Sequence, residues 1–364
     1  MNGNENLDKD EPIVDVDDND DTATPIIYDI SSYGADYDVD GLVRRLKRND
    51  ILIPSFQRDY VWNLTEASKF IESLLLGLPV PGVFLAKDNE NNRLLVIDGQ
   101  QRLKSLLFFY EGIFNPKKDD IRNRVFRLKN VQKRFENKTY KELDEEDRIK
   151  LNDSIIHATI IKQESPQEDN TSIYHVFERL NTGGRKLTPQ EIRSAIYPGK
   201  LNRLIVELNE YSSWRILFGE KNNRLKDQEM ILRFLAMITI WDKYSKPLRE
   251  FLNRFNQTYR NPTDAQLNYY RTLFKKTIDI ILSTFGQDAF KPERVFNAAV
   301  FDVLMVGIAK RIDSVIDFSK IAANYNRIYE VKEYVDSISR ATSDERVIAA
   351  RHKLFDEFIE KYVS

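Results

Sequence analysis

A short polar segment between two apolar runs constrains the fold of this chain more than any other feature. The segment consists of Asp98, Gly99, Gln100, Gln101 and Arg102. It follows the aliphatic run 94–97 and precedes the apolar run 103–110. A short aliphatic run is typical of a buried strand and a longer apolar run of a helix. The sequence therefore predicts a strand-to-helix turn, in which Gly99 permits a sharp bend and Asp98 or Gly99 caps the helix.

The first turn of this predicted helix would carry two amides and a guanidinium beside backbone N–H groups. Such a helix start suits an anion, for example a phosphate of a nucleotide or of nucleic acid. An ordinary turn with solvated Gln and Arg side chains explains the same residues, since a short motif is not specific by itself. Both interpretations stay open from these five residues alone.

The composition limits the chemistry that the chain can perform. Its 364 residues include no cysteine and only three histidines, His157, His175 and His352. Disulfides, thiol nucleophiles and thiolate metal sites are therefore excluded, and a histidine-rich metal site is not expected. The sequence shows neither a signal-peptide pattern nor the roughly 20 apolar residues of a membrane span. We expect a cytoplasmic protein with no membrane partner.

Charge is distributed unevenly along the chain. Residues 1–25 carry nine acidic side chains against one lysine, whereas residues 26–364 have a net charge of +6. An acidic segment without aromatic residues is typical of disorder, so residues 1–27 are predicted to be a disordered acidic tail. The mildly basic remainder suits a polyanion such as DNA.

Apolar periodicity predicts an α+β protein, with a small mixed sheet in residues 28–197 and an all-α domain in residues 198–364. The predicted elements of the first domain are a helix from Gly41 to Arg48 capped by Asp40, a strand at 51–54, a helix at 65–76, a hairpin of strands 83–87 and 93–97, a helix at 141–152, a strand at 154–162 and a helix at 171–180. Helices in the second domain are predicted near 200–210, 225–242, 246–257, 264–284, 293–312, 317–338 and 344–362.

Two local patterns refine the helical region. Thr188-Pro189-Gln190-Glu191 combines a capping box with proline at the first helical position and predicts a helix start. Glu229 and Arg233 stand four residues apart, which predicts a surface or interdomain salt bridge.

A second motif places polar and aromatic residues together at 57–62. Gln57 supplies an amide, Arg58 suits phosphate, and Tyr60 or Trp62 suits stacking on a base. The alternative is that the aromatic residues anchor the core and that Arg58 lies at the surface.

A third motif follows the helix predicted at 171–180. It consists of Asn181, Thr182, Gly183 and Gly184. Its glycine pair would let a ligand approach the backbone, although a plain turn explains these residues as well. The chain has no Gly-x-x-x-x-Gly-Lys-Ser/Thr pattern, which excludes a P-loop nucleotide site.

Taken in order, these motifs resemble the N-terminal domain of the GmrSD-type restriction endonucleases, a type IV, modification-dependent family. The resemblance covers roughly residues 37–260. It implies a core similar to ParB and sulfiredoxin, in which the Asp-Gly-Gln-Gln-Arg motif is associated with nucleotide binding and hydrolysis.

The resemblance also implies roles for individual residues. Asp98, Gln100, Gln101 and Arg102 would be catalytic, and Asp98 would bind Mg²⁺ or orient a water. The residues implied to bind nucleotide or DNA are Gln57, Arg58, Tyr60, Trp62, Gly99, Asn181, Thr182, Gly183 and Gly184. The expected cofactor is a nucleoside triphosphate with Mg²⁺.

The sequence departs from two-part members of the family, which end in a His-Asn-His nuclease domain. It has His352 alone in its last third and stops at Ser364, so we do not expect it to cut DNA by itself. The predicted function is a nucleoside triphosphatase that senses DNA in a restriction or phage-defence system, with a separate nuclease subunit as partner. The alternatives are a non-catalytic DNA- or partner-binding module with the same fold, and a nuclease that uses the core motif itself.

Overall fold

The computed structural model describes most of the chain. The described residues are 13–14, 29–53, 60–87, 93–116, 124–165, 176, 188–314 and 317–363. They form two compact units, one with residues 29–165 and 194–196 and the other with residues 13–14, 188–193 and 197–363. The predicted α+β class is confirmed, because the first unit holds a mixed sheet and the second is mostly helical. The predicted domain limits stay a prediction, and the acidic tail lies almost wholly outside the described residues.

The sheet of the first unit has five strands. The strands of the described chain are β1 (Ile13–Val14), β2 (Asp29–Asp38), β3 (Ile51–Leu52), β4 (Val83–Lys87), β5 (Leu94–Asp98), β6 (Ile155–Ser165) and β7 (Phe296–Asn297). The order in the sheet is β2-β6-β4-β5-β3, and the short pair β1-β7 belongs to the second unit. β4 and β5 pair antiparallel, as the predicted hairpin requires, while β6 and β4 pair parallel. The hairpin prediction is confirmed.

Helices make up most of the remainder. They are α1 (Val39–Lys47), α2 (Leu64–Leu76), α3 (Gln100–Glu111), α4 (Glu145–Asp153), α5 (Pro189–Ile196), α6 (Lys200–Asn209), α7 (Ser212–Phe218), α8 (Lys226–Ile240), α9 (Leu248–Thr258), α10 (Asp264–Phe285), α11 (Ala298–Ala309), α12 (Phe318–Asn324), α13 (Lys332–Ser339) and α14 (Glu345–Val363). None of the helices in the described ranges is both long and apolar enough to cross a lipid bilayer.

Capping residues determine where several of these helices begin. The side chain of Asn63 and that of Glu66 form a capping box at α2, and Thr188 and Glu191 form the predicted one at α5. At α1 the predicted cap was wrong by two residues. The Asp38 carboxylate accepts the Gly41 N–H, whereas Asp40 lies inside the helix and forms a salt bridge with Arg44.

The core of the first unit lies between the sheet and the helices α1, α2 and α3. Leu85 of β4, Val96 of β5 and Ile160 of β6 are buried together with Leu103 and Leu106 of α3. Side chains alternate between the two faces of a strand, so these residues define the face that the helices cover. The burial of α3 positions its first turn at the end of β5.

The second unit adds one helix to those predicted and corrects two others. The sequence did not predict α7, which buries Trp214. α11 begins at residue 298 instead of 293, because the Asn297 side chain accepts the N–H groups of Ala299 and Val300. The helix predicted at 317–338 is divided into α12, a 3-10 helix at Tyr325–Glu330 and α13. The helix predicted at 171–180 lies outside the described residues, apart from Val176.

Buried ion pairs connect the helices of the second unit. Arg193 of α5 donates to Glu229 of α8, to Gln190 and to Asn253. Arg233, also on α8, pairs instead with Asp302 of α11, with an N···O distance of 2.6 Å. The predicted surface or interdomain bridge between Glu229 and Arg233 is therefore corrected, because both side chains are buried inside one unit and pair more closely with Arg193 and Asp302 of other helices.

Glu229 is ionised in this environment. Burial by itself would raise its pKa, but the neighbouring charges of Lys226, Arg193 and Arg233 together hold the pKa of Glu229 below its usual range. A lowered pKa in the folded state stabilises the fold above the unfolded-state value of about 4.3, and this stabilisation is lost as the pH falls below that value.

We predict that Arg193→Met lowers the free energy of unfolding by about 3 kcal/mol at pH 7, because it leaves the buried Glu229 carboxylate without its guanidinium partner. Urea unfolding measures this change. The deficit should shrink as the pH falls toward about 4.3, because without Arg193 the buried Glu229 carboxylate takes up a proton at a higher pH than it does in the wild-type chain.

Arg271→Met is the matched control, since Arg271 donates twice to a Glu207 carboxylate that is partly exposed. Its cost should stay below about 1 kcal/mol. Equal losses in the two variants would contradict the role that we give to the buried pair.

Candidate functional site

The polar segment at 98–102 forms the predicted turn from a strand into a helix. β5 ends at Asp98, α3 begins at Gln100, and the Gly99 carbonyl accepts the Leu103 N–H at 3.0 Å. Gly99 has a φ of 99°, in the left-handed region, and as the N-cap residue it has no side chain that could cap the helix. A Cβ at this position would lie 2.5 Å from the Val83 Cγ1 atom, so glycine is required both by conformation and by space.

Arg102 connects this turn to the segment before β4. Its Nη1 atom donates to the carbonyls of Pro81, at 2.7 Å, and Gly82, and its Nη2 atom donates to Asp98 Oδ2 at 3.0 Å. The Arg102 side chain is 15% exposed and that of Asp98 is 51% exposed. The guanidinium is thus mostly covered, while the carboxylate that balances it faces solvent.

The two glutamines of the motif differ in their surroundings. Gln101 Oε1 accepts the N–H groups of Val61, at 3.0 Å, and Trp62, at 3.3 Å. Gln100 is buried. The first turn thus carries both amides and the guanidinium, as predicted, but Gln101 supports the chain at 61–62 and Gln100 lies inside the fold. Their assignment as catalytic residues stays a prediction.

The described part of the second motif lies beside this turn. Tyr60 is 7% exposed, its ring packs edge-on against Phe108 and Phe114, and its hydroxyl shares a 2.6 Å hydrogen bond with Ser105. Burial raises the pKa of Tyr60 to about 12. Tyr60 thus belongs to the core, as the structural alternative proposed, and we remove it from the candidate ligand-binding residues.

Trp62 is partly buried and packs edge-on against Phe70, with 5.7 Å between the ring centroids. It is close to the turn through its own N–H, which donates to Gln101. Gln57 and Arg58 lie outside the described residues, and so do Asn181, Thr182, Gly183 and Gly184. Their assignment to a binding site stays a prediction.

Sequence reasoning missed the backbone partners of Arg102. Pro81 and Gly82 contribute only backbone carbonyl oxygens. Every residue has one, so the residue type does not reveal which carbonyls are partners. Val83, which confines Gly99, was predicted only as a strand residue. The Pro-Gly pair before a strand was the available signal, since it indicates an extended segment whose carbonyls are not yet paired in the sheet.

The donors available for a metal ion at this turn are few. Among the residues that the structure describes, no group of three or more His, Asp and Glu side chains is arranged to hold a metal ion. Mg²⁺ commonly takes one or two carboxylates from the protein and its other ligands from phosphate and water. The half-exposed Asp98 carboxylate fits this requirement for one protein carboxylate.

Part of the chain is similar to a known protein family. Residues 39–198 match the family model described as the GmrSD restriction endonuclease, N-terminal domain. This part of the chain is similar to that domain. The match contains the turn at 98–102, so the resemblance noted in the sequence is confirmed over these residues.

A second similarity extends to a longer protein. The uncharacterized protein MJ0686 of Methanocaldococcus jannaschii is 25% identical over 265 aligned positions, which cover 51% of this chain and 44% of that relative. The chain therefore spans less than half the length of this relative. The GmrSD domain associates the chain with restriction-type systems.

We predict that Gly99→Ala costs about 3 kcal/mol of unfolding free energy, through left-handed strain together with the clash against Val83. Gly112→Ala is the matched control. Gly112 ends the same helix with a φ of 77°, but a Cβ there meets nothing within 4 Å. It should cost only about 1 kcal/mol, as measured by urea unfolding. Equal costs would show that Val83 does not confine the turn.

Proposed function

We propose that the first unit binds the phosphates of a nucleoside triphosphate at the turn between β5 and α3 and hydrolyses it, in a DNA-sensing protein of a restriction or phage-defence system. The observation that supports this proposal is the pairing of Arg102 with the half-exposed Asp98 at a helix start whose N-cap residue, Gly99, has no side chain to cap it. A guanidinium and a helix N-terminus at the same turn favour a phosphate group.

The two terminal nitrogen atoms of Arg102 have different roles in this proposal. Nη1 stays with the carbonyls of Pro81 and Gly82, which hold the guanidinium in one orientation. Nη2 faces Asp98, on the side of the turn that solvent reaches. A phosphate oxygen approaching from solvent would meet a donor that is already positioned. Proteins catalyse phosphoryl transfer largely by positioning the reacting groups.

Asp98 is the residue that would hold Mg²⁺, together with oxygens of the bound phosphates. When bound, the ion neutralises charge on those phosphates. Gln100 and Gln101 would contribute by keeping the turn in place, since the first is buried and the second supports residues 61 and 62.

DNA and a separate nuclease subunit are the proposed partners. Similarity to the GmrSD domain supports DNA as the sensed molecule, and the net charge of +6 over residues 26–364 suits a polyanion. The nuclease is proposed because the matched domain is described as part of a restriction endonuclease, an activity that cleaves DNA.

A second candidate function is a non-catalytic module that binds DNA or a protein partner with the same fold. The observation that favours it is that Arg102 and Gln101 already have intramolecular partners. Such bonds explain these residues as structural supports of the unit. The two candidates differ in whether nucleotide is turned over.

A phosphate-release assay with the four nucleoside triphosphates and Mg²⁺, with and without unmodified and modified DNA, distinguishes them. We expect at least one nucleotide to be hydrolysed by the wild-type chain. Asp98→Asn and Arg102→Gln should each lower the rate by about tenfold or more, because each removes a charge beside the reacting phosphates.

Matched controls come from the same unit. Arg127 donates to the Asn137 carbonyl and to Glu142, and Asp144 pairs with Lys138. Arg127→Gln and Asp144→Asn should keep the wild-type rate, and circular dichroism checks that all four variants fold. Salt-sensitive DNA binding without phosphate release would favour the non-catalytic module. Equal rates in all folded variants would exclude the turn as the site.

A further inference from the structure

A polar cleft of about 330 Å³ opens in the first unit at the end of the β4-β5 hairpin that lies opposite Asp98. Lys87, the last residue of β4, pairs with Leu94, the first residue of β5. At the other end of the same hairpin, Phe84 pairs with Asp98. The cleft and the turn thus share strands but no lining residue.

Three basic side chains line the cleft, namely Arg45 of α1, Lys87 of β4 and Arg93 just before β5. Asp50 is the carboxylate among the lining residues, and Arg48 already pairs with it at 2.8 Å. Within the described residues, neither Arg45 nor Lys87 forms a salt bridge. The lining therefore carries an excess of positive charge that favours an anionic ligand.

A further carboxylate near the cleft is neutralised in the same way. Glu164 of β6 is close enough to Lys87 to be influenced by its charge. Its carboxylate accepts hydrogen bonds from Lys162 and from the Ser31 hydroxyl. Glu164 is thus engaged with its own strand neighbours.

Two tyrosines of β2 supply aromatic surface in the cleft. Tyr33 and Tyr37 are four residues apart on one strand and so lie on the same face of the sheet. The Arg45 guanidinium lies over the Tyr37 ring, 5.3 Å from its centroid. Tyr33 is 46% exposed, although helices cover most of the sheet face on which it lies with Tyr37. An exposed ring beside cations is the combination that holds a base next to its phosphate.

We propose that this cleft binds a nucleotide unit, with its phosphate on Lys87, Arg45 and Arg93 and its base against Tyr33. A free nucleotide and the phosphorylated end of a nucleic-acid strand present the same chemistry. The cavity is of the size that ligand sites of this kind occupy. This second site goes beyond the function proposed above and does not depend on hydrolysis at the turn.

Isothermal titration of the full chain with dTMP, ribose 5-phosphate and a short 5′-phosphorylated oligothymidylate tests this proposal. Lys87→Gln should weaken dTMP binding by about tenfold through loss of a phosphate contact. Tyr33→Ala should weaken it by about tenfold through loss of stacking. Ribose 5-phosphate, which has no base, should bind about tenfold more weakly than dTMP to the wild-type chain.

Two variants serve as controls. Lys47→Gln removes an exposed cation from the same helix as Arg45, and Tyr269→Ala removes an exposed tyrosine of α10. Both should leave dTMP binding unchanged. The cleft is tested by binding and the turn by phosphate release, so a failure of one proposal is distinguishable from a failure of the other.

The source of the ligand follows from the comparison of probes. Tighter binding of the oligothymidylate than of dTMP assigns the cleft to a strand end, and equal binding assigns it to a free nucleotide. The proposal is overturned if neither dTMP nor the oligothymidylate binds, or if ribose 5-phosphate binds as tightly as dTMP. It is also overturned if Lys87→Gln and Tyr33→Ala bind dTMP like the wild-type chain.

Discussion

The hydrogen bonds of Arg102 to the carbonyls of Pro81 and Gly82 hold the first turn of α3 against the start of β4. One residue earlier, Gln101 holds the chain at 61–62 through two backbone N–H groups. Three segments that are distant in sequence therefore meet at a single helical turn. A ligand at this turn would be positioned by the sheet, by α3 and by the chain that leads into α2, which makes the turn both a support of the fold and a candidate site.

Local patterns predicted the elements around this turn because the signals that define them are local. Gly77 ends α2 in a left-handed conformation, and the aliphatic runs of β4 and β5 flank a short connection. Gly99 was predicted to permit a sharp bend, and its φ of 99°, in the left-handed region that favours glycine, confirms this prediction. Such features depend on a few neighbouring residues and are visible in the sequence.

Features that depend on distant partners were not predictable in the same way. Glu229 and Arg233 have the spacing of a helical salt bridge, yet Glu229 pairs with Arg193 and Arg233 with Asp302, on other helices. Tyr60 and Trp62 lie two positions apart and share sequence neighbours, but Tyr60 is buried more deeply, beside Ser105. The cleft at Lys87 was missed because its cations come from α1, β4 and the start of β5, and no single motif contains them.

We propose that the turn at 98–102 receives the phosphates of a nucleotide. Hydrogen–deuterium exchange of the full chain, measured with and without nucleoside triphosphate and Mg²⁺, tests this proposal. We expect slower exchange at residues 60–63 and 98–104, since these backbone segments meet at the turn, with no change in α8 and α11. Unchanged exchange at 98–104 under saturating nucleotide would contradict it.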